Sequence, residues 1–186
     1  MTVWPARYAI SWDKFEAATL CQLMLKFKIE KQPLPFATSN YYMHKGWLVQ
    51  WITEMYVNQG VHLREGGLTN EKFQLAINKL CQSQKFLEKL NETRMIAGKT
   101  ASDFIAEVQE QAMRALILMR EVDLLGRPAL RSEVTWISSF RGLQLFAKMD
   151  FTDETDPHAV GIFDGKGHAR KNAEEGQIRL YSMCVS

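Results

Sequence analysis

The residues of this chain with the most legible chemistry are its cations. Lys72 and Lys79 stand seven apart, a spacing that puts both on one face of a helix. Lys85 and Lys89, four apart, share a second face. Arg114, Arg120, Arg127, Arg131 and Arg141 follow along the next stretch, and Lys166, Arg170 and Lys171 cluster near glycines further on. A row of cations is what neutralises a phosphate backbone, and the planar guanidinium suits phosphate or carboxylate forks better than a lysine does. Acids are interspersed at Glu71, Glu88, Glu107, Glu110 and Glu121, and an ordinary solvated surface shows the same mixture.

A second pattern interleaves rings with base over Tyr41, Tyr42, His44, Lys45, Trp47 and Trp51. Rings beside cations are how single strands are gripped. Trp47, Trp51 and Met55 also fall at i, i+4 and i+8, which assigns them to a buried helix face. On that reading Tyr41, Tyr42 and Lys45 remain as the candidates for contact.

Other chemistries find weaker support. Asp150, Asp153, Glu154 and Asp156, with His158, offer the oxygen ligands that Mg²⁺ or Mn²⁺ prefer, but their spacing departs from the calcium-loop pattern. Gly98-Lys99-Thr100 has the ending of a phosphate-binding loop, yet position 93 is Thr where that loop needs glycine. His44, His62, His158 and His168 lie in no recognised catalytic arrangement, and neither a G-x-S-x-G elbow nor a G-x-G-x-x-G loop is present. Cys21, Cys81 and Cys184 are too scattered for a zinc site and read as buried thiols. No cofactor is called for.

Helices must position these groups. Ser11 opens a first helix that fades near Lys31, before Pro33 and Pro35. A second runs from about Gly46 to Asn58, and a third from Thr69 or Asn70 to about Leu90. Thr100 with Asp103 resembles a capping box, and the helix it opens carries Phe104, Val108, Ala112, Ala115, Met119 and Val122 inward until Gly126 and Pro128 stop it. A fifth helix is read over 132–148, with Val134, Ile137, Phe140 or Leu143, and Phe146 inward and Gly142 as a weak point. Beyond it, Ala159–Phe163 followed by Asp164-Gly165 carries a hairpin signal.

The expected fold is therefore mainly α: a compact bundle of about five helices at 12–149, an extended N-terminal arm at 1–11, and an irregular C-terminal arm at 150–186 holding a candidate β-hairpin. Charge divides along the same line. Residues 1–149 carry 19 basic and 14 acidic residues, and 150–186 carry 4 and 7. The whole chain, 186 residues at net charge +2 and 46% hydrophobic, is neither disordered nor collagen-like. Met1–Arg7 lacks the basic and apolar regions of a signal peptide, and no apolar run reaches the length of a membrane span, so a cytoplasmic chain without membrane contact is expected.

Arms that cannot bury Val3, Trp4, Ile162, Phe163, Leu180 and Tyr181 alone need a surface to lie on, and exchange between copies supplies one. The layout of basic helical core and greasy arms resembles that of viral and mobile-element nucleoproteins. It implies a non-enzymatic, self-assembling subunit, a homo-oligomer that binds RNA or single-stranded DNA through Lys72, Lys79, Arg114, Arg120, Arg127, Arg131, Arg141, Lys166, Arg170 and Lys171. A protein–protein adaptor without nucleic acid, or a small metal enzyme built on 150–158, are the alternative expectations.

Overall fold

A computed structural model describes residues 14, 30, 41–140, 143–156 and 158–163, with no side-chain detail at 92–97, 139–140 and 143–144. Four helices are described along their length: α1 (Tyr41–Asn58), α2 (Asn70–Cys81), α3 (Gln84–Ala97) and α4 (Ala101–Glu121). They are followed by three strands, β1 (Leu130–Phe140), β2 (Leu143–Asp153) and β3 (Gly161–Phe163), in one antiparallel sheet of order β1-β2-β3. The expected N-terminal arm and first helix lie outside the described residues, apart from Lys14 and Glu30, both helical. So do Lys166, Arg170, Lys171 and the Asp164-Gly165 turn.

The five-helix bundle is thus corrected to a mixed α/β fold. Where a fifth helix was expected, the chain forms a long hairpin. The physical reason lies in a two-residue period that a helical template also partly fits. Leu143, Leu145, Ala147, Met149 and Phe151 are apolar at every second position over β2, and the last four are buried. On β1 the partly buried Ser132, Val134, Trp136 and Ser138 alternate with exposed Arg131, Glu133, Thr135 and Ile137. Val134, Thr135, Trp136 and Ile137 are also a run of strand formers. Gly142, read as a flaw in a helix, falls between the two strands in sequence. The segment after residue 150 is likewise no separate arm in its first part, since β2 runs on to Asp153 and β3 pairs with it.

By packing, the described chain falls into two compact units, 41–132 with 150–161, and 133–149 with 162–163. In the second, Leu145, Ala147 and Met149 form the core, with Trp136 and Ile162 packed on it. In the first, α4 packs on α1, α2 and α3. Its core is Leu48, Ile52, Tyr56, Phe73, Ile77, Phe86, Phe104, Val108, Ala112 and Leu116, all inaccessible or nearly so.

Local chemistry sets the helix ends. Thr69 and Thr100 cap α2 and α4, each side chain accepting from the backbone N–H three residues on, at Lys72 and Asp103. The expected single helix over 69–90 is in fact two, because Ser83 breaks it: the Ser83 hydroxyl accepts from the Phe86 N–H at 3.4 Å and its carbonyl from Leu87. Between α1 and α2 the chain folds tightly. Gly60 and Gly66 take φ of 62° and 67°, and a Cβ at Gly67 would lie 2.0 Å from the Val61 carbonyl oxygen. The buried Tyr56 hydroxyl donates to the Gly67 carbonyl and ties this loop to α1.

Candidate nucleic-acid interface

The structure sorts the expected cations into two groups. Arg114 donates to Glu110 at 2.5 Å, one turn back on α4. Arg120 donates through Nη1 to the Leu68 carbonyl and to Asn70 Oδ1, both at 2.9 Å, and lies over the Phe73 ring, fastening the end of α4 to the start of α2. Arg127 donates to Asp153 Oδ2 at 2.7 Å, and Arg131 pairs with Glu154 at 3.5 Å. These four are engaged within the protein and form no single row. The side chain of Arg141 is outside the described residues.

Lys72 and Lys79 differ. Both are exposed on α2, and they line one shallow cleft of about 190 Å³ with Arg64, Gln59, Leu75 and Ala76. Among the described residues none of Arg64, Lys72 and Lys79 is held in an ion pair; Arg64 donates to the Gln59 carbonyl at 3.1 Å. One acid, Glu65, shares the lining. Seven residues along a helix separate Lys72 from Lys79 by about 10 Å, which matches about three steps of a stacked strand at ~3.4 Å each. The volume is below the ~300–1,000 Å³ of sites that enclose a small molecule. The cleft is therefore an open recess of the surface lined by cations, smaller than a site that encloses a small molecule.

Arg64 was not singled out in the sequence. It is brought to α2 by the Gly60, Gly66 and Gly67 turns, a placement that sequence spacing alone does not carry. His62 sits in the same loop, 6% exposed, with both ring nitrogens buried and no hydrogen-bond partner among the described residues. Burial pushes its pKa down, against the opposing pull of the Tyr56 backbone, so the neutral ring is the favoured form.

The ring-and-base segment divides. The buried face expected from the i, i+4, i+8 spacing holds for Trp51, 8% exposed, and fails for Trp47, 39% exposed; Leu48, Ile52 and Tyr56 fill the rest of the α1 core. The two indoles lie nearly parallel, 8° apart with centroids 6.5 Å distant. Lys85 Nζ lies 5.3 Å from the Trp47 centroid and 5.5 Å from that of Trp51, and Lys89 Nζ lies 5.8 Å from Trp47. Tyr41 and Lys45 instead join an internal cluster. Glu107 accepts from the Tyr41 hydroxyl, from Lys99 and, at 3.2 Å, from Lys45. Lys99, then Tyr41 and Lys45, hold the Glu107 carboxyl at a pKa of about 2.

The acidic segment does not converge on a point. Asp150 accepts from Gln50 at 2.7 Å, Asp153 from Arg127 and Thr155, and Asp156 from the His158 N–H at 2.8 Å. Among the described residues no group of three or more His, Cys, Asp or Glu is placed to hold a metal ion. Gly98-Lys99-Thr100 serves as a helix boundary: Gly98 takes φ 64° and Thr100 is the cap of α4. No described helix is long and apolar enough to cross a membrane. No family model, curated protein or solved structure matches the chain.

Proposed function

We propose that the protein is a non-enzymatic nucleic-acid-binding subunit that assembles with copies of itself, and that the Arg64–Lys72–Lys79 cleft is its phosphate contact. The observation that carries this reading is the contrast within one set of cations. Arg114, Arg120, Arg127 and Arg131 are engaged by acids, an amide or a carbonyl of the protein, while Lys72 and Lys79, exposed at the cleft, form no ion pair among the described residues, and Arg64 beside them is bonded to the Gln59 carbonyl alone. Exposed lysines without an acid partner are what remains available to a polyanion.

Self-assembly draws on a different surface. Leu118, in the last turn of α4, and Val122, the residue that caps its end, are 59% and 55% exposed. Such apolar exposure on a helix is the kind that contact between copies covers.

The test is anisotropy of a labelled mixed-sequence oligonucleotide at low salt, with the absorbance ratio and mass of the purified protein measured alongside. Binding that Lys72→Ala/Lys79→Ala weakens, by an oligomer, is the expected result. No binding at low salt removes the nucleic-acid reading, and a strict monomer at every concentration removes the assembly reading.

A further inference from the structure

We infer that Trp47, backed by Trp51 and flanked by Lys85 and Lys89, is a base-stacking platform that makes the protein favour unpaired over paired nucleic acid. The inference rests on the nucleic-acid reading above but on different residues, on α1 and α3.

Two observations carry it. First, Trp47 lies off the buried face of its own helix. The core positions Leu48, Ile52 and Tyr56 are filled, and the Trp47 indole stands partly outside them, with much of its surface in contact with solvent. The buried Trp51 indole lies beside it and nearly parallel, 8° apart with centroids 6.5 Å distant. Second, Lys85 Nζ sits within 5.5 Å of both ring centroids and has no carboxylate partner among the described residues. A cation that touches the rings is positioned to meet the phosphate of a nucleotide whose base lies on the indole.

Stacking of this kind selects by strandedness. An indole can take a base only where its face is uncovered, and in a duplex each base face is covered by its neighbours. It is indifferent to sequence, because every base has a π-face, and it adds nothing to the salt slope, because no counterion is released by it.

The test compares a labelled mixed-sequence single strand with its duplex at one fixed salt concentration, for the native chain, Trp47→Ala, Trp47→Phe and Lys72→Ala/Lys79→Ala. Expected is a single-strand preference that Trp47→Ala abolishes, with single-strand affinity falling between about 5- and 150-fold. Duplex binding stays as it was. Trp47→Phe, which keeps a ring in the helix, falls between the two. Equal binding of both forms, with Trp47→Ala without effect, overturns the platform while the cleft reading stands on its own Lys72/Lys79 variant. Absence of binding to either form removes the reading beneath it, and the platform with it.

Discussion

The wall of the cleft depends on one glycine, and a pair of identical substitutions exposes that dependence. At Gly67 an added Cβ would lie 2.0 Å from the Val61 carbonyl oxygen and 2.9 Å from that of Arg64. Both neighbours are backbone, so neither can swing aside, and the 61–67 turn must open. Overpacking of this kind costs about 1–3 kcal/mol and occasionally more. The contact distance places Gly67→Ala at the upper end, about 3 kcal/mol, because the bond from the Tyr56 hydroxyl to the Gly67 carbonyl is displaced as well. For a chain of this size that lowers Tm by roughly 6–12 °C. Gly46→Ala adds the same methyl in open space within a helix and raises stability by about 0.5–1 kcal/mol. Thermal unfolding of the two variants beside the native chain is the assay, with oligonucleotide affinity measured on each below its transition. Opposite signs are expected, with weakened binding for Gly67→Ala because Arg64 and Val61 leave the cleft. A Gly67→Ala chain as stable as the native one refutes the loop geometry and the cleft built on it.

The pH dependence of stability carries two further predictions. Asp153 is held below the usual carboxylate range by its bonds from Thr155 and then by Arg127. Its contribution is present above the unfolded value near 4 and is lost as pH falls through the lower folded one. Asp153→Asn is then less stable than the native chain by about 1 kcal/mol at pH 7, and the difference narrows as pH falls below about 4; denaturant titrations across that range check this. His62, also lowered in the fold, stabilises the protein only while neutral, so stability declines as pH drops below about 6.5. His62→Leu removes that limb, and an unchanged limb between pH 7 and 5 contradicts the assignment. The Cys81 thiol is buried, and burial pushes its pKa up to about 11. In a Cys21→Ser/Cys184→Ser chain at pH 8, alkylation of Cys81 is slow in buffer and fast in denaturant; equal rates refute its burial.

Much of the helical unit was legible in the sequence. Thr69 and Thr100 announce their helices because a cap is a local device, set by one hydroxyl and a backbone N–H three residues on. The break at Ser83 was less visible, since Ser is also tolerated within helices and the apolar stripe continues across it. The hairpin is hidden for a sharper reason. Val134, Ile137, Phe140 or Leu143, and Phe146 satisfy a helical period, while Leu143, Leu145, Ala147, Met149 and Phe151 satisfy a strand period, and Phe146, apolar between two of these, fits the first and blurs the second. Trp47 was assigned to the core by spacing from Trp51 and Met55; one residue on, Leu48, Ile52 and Tyr56 supply the same spacing and take the buried face. The cation row was legible by type, but whether a guanidinium is spent on an acid is a matter of tertiary placement. Arg127 meets Asp153 across 26 positions and Arg120 meets Asn70 across 50, and no local rule contains those pairings.

Whether the cleft cations meet phosphate is read from the salt dependence of oligonucleotide affinity in the native chain against Lys72→Ala/Lys79→Ala. Each phosphate neutralised contributes about −0.7 to the slope of log affinity on log salt for a single strand. The native slope is expected to be at least about −2 for three cations, and the double variant to be shallower by about 1.4. A native slope near zero, or one that the two substitutions leave unchanged, contradicts the account.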